Sequence, residues 1–267
     1  MRFTKCFTVV AVLAVMALAV GQAQAAMIGV QFTGFDGTRT LLATESAGLV
    51  PQINYNTLGY NDANGVDYRE SIGNVGMIHP MPTLKDDSGA ATTVAGTATG
   101  IWDMFVFGSG TELTPDQKLM SHAFGENGTA FGGQPFRTGT IALSNLHANG
   151  YALYDLIVYV TLNTANANDH PSTIALNGGA ASAITIDGDS SYGSPDVTYV
   201  DALTNSVGNY VRYNGLTGDS VSFSITSPPW YNGAGFGGFQ VILVPEPATL
   251  ALLGLGGLGM LIRRKRS

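Results

Sequence analysis

Cysteine is almost missing from this sequence: its one example, Cys6, lies in the first ten residues. Everything beyond it is without a thiol nucleophile, a disulfide or a cysteine metal site. Charge is scarce as well, at 12% of the 267 residues, and basic charge is scarcest. Six of the 12 Lys and Arg residues sit in the two ends, leaving six against 18 acids between residues 26 and 244, a formal charge of −12. A surface of that sign repels nucleic acid, which is excluded as a partner. Motifs of catalysis are missing too. No G-x-S-x-G elbow, H-E-x-x-H pair or phosphate-binding loop occurs. Acids such as Glu45, Glu70, Glu112 and Glu126 are spread along the chain, and one sequence does not say which carboxylates meet in space. The four histidines, His79, His122, His147 and His170, are scattered; His79 and His170 precede proline and read as turn residues on the surface. Nothing in this inventory makes the chain an enzyme.

The two ends are the most legible parts. Residues 1–25 open with Arg2 and Lys5, continue through an apolar run from Phe7 to Val20, and close on Ala23-Gln24-Ala25. That order is a secretory signal peptide with cleavage after Ala25 by signal peptidase; the run is short for a retained span of about 20 residues. At the other end, Pro245-Glu246-Pro247 precedes an uncharged stretch from Ala248 to Ile262, followed by Arg263, Arg264, Lys265 and Arg266. As a helix the stretch spans about 22 Å, against a hydrocarbon core of about 30 Å. The basic cluster acts as a membrane stop and favours the cytoplasmic side, so the body lies outside. Proline holds the Pro-Glu-Pro triplet extended and denies it a helix, which leaves a strand that a protease can grip.

These three parts in this order resemble the sorting signal of the PEP-CTERM family. The resemblance covers residues 245–267 and implies a route: export, a transient stay in the inner membrane, and processing at the Pro-Glu-Pro motif by an exosortase, a membrane-embedded transpeptidase. It also implies a final place at the cell surface or outside the cell, in bacteria that make extracellular polysaccharide, a further potential partner.

Between the ends, residues 26–244 form one domain expected to be all-β. Glycine is abundant, with 35 in the chain, and no long helical pattern appears. In DSVSFSITS, Val221, Phe223 and Ile225 alternate with Ser and Thr, which predicts a strand with one buried and one wet face. In YDLIVYVTL the row Leu156, Val158, Val160, Leu162 is apolar and the row Asp155, Ile157, Tyr159, Thr161 partly so, which predicts a central strand covered on both faces. Further strands are expected at MIGVQFT, WDMFVFG, TGTIALSNL, STIALNG, AITIDG, GNYVRYNGL and GFQVILV. One short helix is expected at TPDQKLMSHAF, where Thr114 caps, Pro115 takes the first position and Gln117 completes a capping box. The sum is an antiparallel β-sandwich with one short helix, plus the signal peptide and a single C-terminal transmembrane helix. The order of segments resembles the galactose-binding-like jelly-roll bodies of secreted PEP-CTERM proteins, which implies a fold and, only by analogy, a sugar ligand.

Two binding candidates come from the residues themselves. Trp230 and Tyr231, after Pro228-Pro229, are the candidates for a glycan-stacking surface, with burial in the core as the competing reading. Trp102, within a strand pattern, reads as core. In DGDSSYGSPD, Asp187, Asp189 and Asp196 offer hard oxygen ligands of the kind calcium takes, without EF-hand spacing; an ordinary turn between strands is the competing reading. No other cofactor is implied. The expected function is that of an exported, non-catalytic surface or matrix protein; a carbohydrate-binding module and a secreted hydrolase of unrecognised type are the alternatives.

Overall fold

The computed structural model describes residues 26–33, 39–59, 78–100, 103–106, 113–125, 138–162, 168–188, 198–226 and 234–244. For residues 59, 103–106 and 122–125 the description is of the backbone alone. The strands are β1 Met27–Thr33, β2 Asn56–Gly59, β3 Ile78–Pro80, β4 Ala95–Thr99, β5 Asp103–Val106, β6 His122–Gly125 and β7 Gly139–Ser144. They continue with β8 Tyr154–Leu162, β9 His170–Leu176, β10 Ser182–Ile186, β11 Tyr210–Leu216, β12 Val221–Thr226 and β13 Ala234–Leu243. Among the described residues one α-helix, α1, spans Pro115–Met120.

These strands form two sheets packed face to face. The first runs β11-β8-β13-β1-β2, with β6 also pairing β13 and β5 pairing β6; the second runs β10-β9-β12-β7-β4-β3. The β-sandwich with one short helix is as the alternation predicts. One pairing departs from it: β1 and β2 are parallel. Parallel neighbours need a crossover, and here the segment from Arg39 to Tyr55 supplies part of it, packed with α1 against the outer face of the first sheet.

That cover explains the two-sided character of β8. Leu156, Val158, Val160 and Leu162 enter the core between the sheets. Ile157 and Tyr159 point the other way, into a second apolar cluster with Leu41, Ala47, Tyr55, Leu119 and Met120. The second sheet keeps one wet face: Val221, Phe223 and Ile225 are buried while Ser222, Ser224 and Thr226 are half-buried. Helix α1 is capped as its sequence predicts, with the Thr114 hydroxyl accepting from the Gln117 N–H and the Gln117 side chain accepting from the Thr114 N–H.

Strand β13 is longer than its sequence suggests. Its pairing with β8 shifts between Phe236 and Gly238, a bulge that inserts one residue. A bulge resets the alternation of faces. Phe236 and Phe239, three apart, thereby reach the same core, where each stacks edge-on against Phe223 of the opposite sheet, at centroid distances of 5.3 and 5.4 Å.

Both His-Pro pairs correct the sequence reading, because His79 and His170 are buried strand residues. Pro80 is tolerated because β3 is a sheet edge. Pro171 lies opposite Thr185, whose carbonyl points away from β9 and accepts from the Gly208 N–H. The proline nitrogen therefore faces the side of β12, beyond the described pairing of that strand with β9, which runs from Leu176 to Thr173, and no bond of the β9–β10 ladder is lost.

Gly48 lets the cover approach the sheet closely. Gly48 has φ +97°, and a Cβ there would run into the hydroxyls of Tyr55 and Tyr159 and the Gln240 side chain. Gly48→Ala is expected to destabilise the domain by about 3 kcal/mol, from left-handed strain plus overpacking. Urea unfolding of residues 26–244 checks this: the midpoint should drop with little change in slope, and an unchanged midpoint would refute the packing described.

Candidate functional site

Most of the residues singled out from sequence lie outside the described residues: Ala23, Ala25, Trp102, Asp189, Asp196, Trp230, Tyr231, Pro245, Glu246, Pro247, Arg263, Arg264, Lys265 and Arg266. Asp187 is described. Its N–H donates to the Gly208 carbonyl at 3.0 Å, part of a short parallel bridge that extends the edge of β10. The neighbouring Gly188 N–H is held by the Asp169 carboxylate at 3.1 Å. Among the described residues no group of three or more His, Cys, Asp or Glu is placed to hold a metal ion.

Three polar arrangements are candidates for chemistry. The first lies under the loop and helix that cover the first sheet. Gln31 on β1 donates to the Arg39 and Lys118 carbonyls and accepts from the Leu41 N–H. Gln240 on β13 donates to the Val50 carbonyl at 2.7 Å and to the Gln52 side chain at 2.9 Å. Its carbonyl oxygen accepts from the Tyr159 hydroxyl at 2.5 Å, which in turn accepts from the Leu49 N–H. Asp116, in the first turn of α1, accepts from the Gly48 N–H and the Tyr199 hydroxyl, both at 2.8 Å. Burial pushes the phenols of Tyr55, Tyr159 and Tyr199 well above their ordinary range, with nearby Asp116 adding to the effect. Gln31, Gln52 and Gln240 are each 2% exposed or less. Gln31 and Gln240, paired at both amide atoms and shut away from solvent, fix the backbone of the cover, while the Gln52 Nε2 is buried without a hydrogen-bond partner.

The second arrangement is the set of carboxylates. Glu45 pairs with Lys118 at 2.6 Å. Burial alone would raise its carboxyl, but the Lys118 and Leu42 N–H donors and the Lys118 charge hold it below the usual value. Asp155 pairs with Arg212 at 2.6 Å and accepts from the Gly215 N–H. Asp86 and Asp201 accept from N–H groups of their own turns, and Asp219 accepts from the His147 N–H. Each of these acids already has a structural duty, and no two of them form an acid and base facing a cleft.

The third is a groove of about 300 Å³ beside β10, at the outer end of the second sheet. Its polar side chains are Ser172, Thr173, Thr185, Asn205 and Ser206, over a floor that includes Ile184 and Ala202. Hydroxyls and one carboxamide hydrogen-bond neutral molecules; without a carboxylate, imidazole or amine they supply no general acid or base. His170, one strand residue from Pro171 of that lining, is buried, and burial lowers its imidazole pKa against the opposing pull of Asp169. The groove left no signal in the sequence, because its walls come from segments joined only by sheet pairing.

Residues 243–266 match the PEP-CTERM protein-sorting motif. No curated protein is significantly similar to the chain. Solved structures with some likeness include an exo-beta-1,3-galactanase from Phanerochaete chrysosporium with galactose, 15% identical over 61% of this chain and 32% of that one, at a TM-score of 0.27. Another is the GH26-CBM35 beta-(1,4)-mannanase from Podospora anserina, 14% identical over 55% of this chain and 26% of that one, at a TM-score of 0.26. The chain thus spans about a third or less of those enzymes, and likeness at that level bears on neither activity nor substrate.

Proposed function

We propose that this chain is the precursor of an exported, non-catalytic cell-surface or extracellular-matrix protein, held at the inner membrane and then processed by an exosortase-type transpeptidase at Pro245-Glu246-Pro247. The observation that carries this reading is the PEP-CTERM motif over residues 243–266, which begins within the last residue of β13 and so follows the folded domain directly. A sorting motif implies transit of the membrane and a processing enzyme. The non-catalytic part draws support from the second set of observations: Glu45, Asp86, Asp116, Asp155, Asp201 and Asp219 are all engaged in caps, turns or ion pairs. The groove beside β10 carries no titratable side chain, so it suits holding a neutral molecule rather than transforming one.

Intact-mass spectrometry of the native protein from cell and medium fractions tests the proposal. The expected product starts at Ala26 and ends near Pro245–Pro247. A species still carrying residues 248–267 in the medium would overturn it, and so would steady hydrolysis of a polysaccharide by the purified product.

A further inference from the structure

The first and last described residues, Ala26 and Val244, lie at one end of the sandwich. Met27 of β1 stands opposite Ile242 of β13, and the Leu243 N–H donates to the Ala26 carbonyl at 3.0 Å. The next residue, Val244, is still tied down, its N–H donating to the Leu153 carbonyl at 2.9 Å. On the β1 side, the Asp87 N–H donates to the Met27 carbonyl at 2.8 Å and the Asp87 carboxylate accepts from the Met27 N–H at 3.2 Å. Both strands are interior to the first sheet, β1 between β13 and β2, β13 between β8 and β1. Neither can peel away into a stalk without opening the centre of the domain.

The connection that remains is short. From Val244 to Ala248 there are four residue steps, at most about 14 Å even when fully extended. The headgroup layer on each side of the hydrocarbon takes about 5–8 Å of that. We propose that the end of the sandwich bearing Ala26 and Val244 is the surface that faces the phospholipid headgroups, so that the opposite end points away from the membrane. This rests on the reading of residues 248–262 as a membrane anchor.

The chemistry of that end fits a body that stands on the membrane without entering it. Its exposed turns Ser88–Ala91, His147–Ala148 and Thr217–Ser220 are small or polar residues, and one large apolar side chain, Ile53, is exposed beside them, next to the Asn54 that donates to the Asp87 carbonyl. Asp86, Asp87 and Asp219 outweigh the one cation among them, Lys85, which opposes contact with anionic lipid. The far end, where β1, β8 and β12 finish at Thr33, Leu162 and Thr226, lies about 30 Å away, the length of β8 at about 3.3 Å per residue.

The test uses the full-length chain with Cys6→Ser, so that one introduced cysteine carries a fluorophore. Ala148→Cys labels the turn beside Leu153 and Ile78→Cys labels the far end, where Ile78 is 66% exposed. The protein is reconstituted into phosphatidylethanolamine and phosphatidylglycerol vesicles containing headgroup-spin-labelled lipid. Quenching several-fold stronger at position 148 than at 78 is the expected result. Equal quenching, or stronger quenching at 78, in vesicle-bound protein overturns the orientation alone. Failure of the full-length protein to bind vesicles overturns the anchor reading and the orientation with it.

Discussion

Phe223→Ala is expected to cost the domain about 3–5 kcal/mol, the range for truncating a buried aromatic. Phe223 is 1% exposed and sits at the point where the sheets touch, its ring edge-on to Phe236 and Phe239 across the interface. Phe239 in turn meets Phe32 at 6.2 Å, so one side chain from β12 completes an aromatic line that reaches β1. Alanine there leaves a hole that the paired strands cannot close, because β12 is pinned by β7 on one side and β9 on the other. Chemical unfolding of residues 26–244 should show the midpoint collapse, and a loss below about 1 kcal/mol would mean that the sheets do not pack through this ring.

The second large effect concerns alkaline pH. Seven described tyrosines, Tyr55, Tyr151, Tyr154, Tyr159, Tyr199, Tyr210 and Tyr213, have phenols raised above the ordinary value near 10, with burial as the leading cause in each. Tyr213 is pushed up to about 12. The folded state keeps these protons where the unfolded chain gives them up. Raised pKa values give a contribution that is whole below pH 10 and is lost as the pH climbs through the folded values. For Tyr55 and Tyr159 alone, the slope is about 2.7 kcal/mol per pH unit above pH 10. Urea unfolding between pH 9 and 12 should therefore show steep loss of stability, with phenolate absorbance appearing together with unfolding. Free titration of all the phenols near pH 10 with the fold intact would contradict the burial described.

Local signals explain what could be read from the chain. The alternation in β12, the two apolar rows of β8 and the capping box at Thr114 are each set by neighbours in sequence, and each is found where expected. Strand β13 was legible only in its second half, because the bulge after Phe236 breaks the period of two and its glycines imitate a loop. The strand at His170-Pro171 was hidden for another reason: proline is tolerated there because its nitrogen turns away from β10, a fact of the sheet and not of the dipeptide. Likewise, nothing near Gln31 or Gln240 announces that both will be buried under a segment crossing from β1 to β2. The candidate groove and the shared exit of the two termini are products of long-range pairing, and sequence order alone conceals both.

The sorting signal is the reverse case, legible from composition and order and matched over residues 243–266. Its central residue is Glu246, outside the apolar run, so its replacement leaves membrane insertion untouched while removing the charge between the two prolines. The most direct test of the account follows the fate of Glu246→Ala in the native cell. Full-length protein lacking only its signal peptide should accumulate in the membrane fraction, with none in the medium. Processing and export of Glu246→Ala at the normal rate would contradict the account and leave residues 248–266 as no more than an anchor.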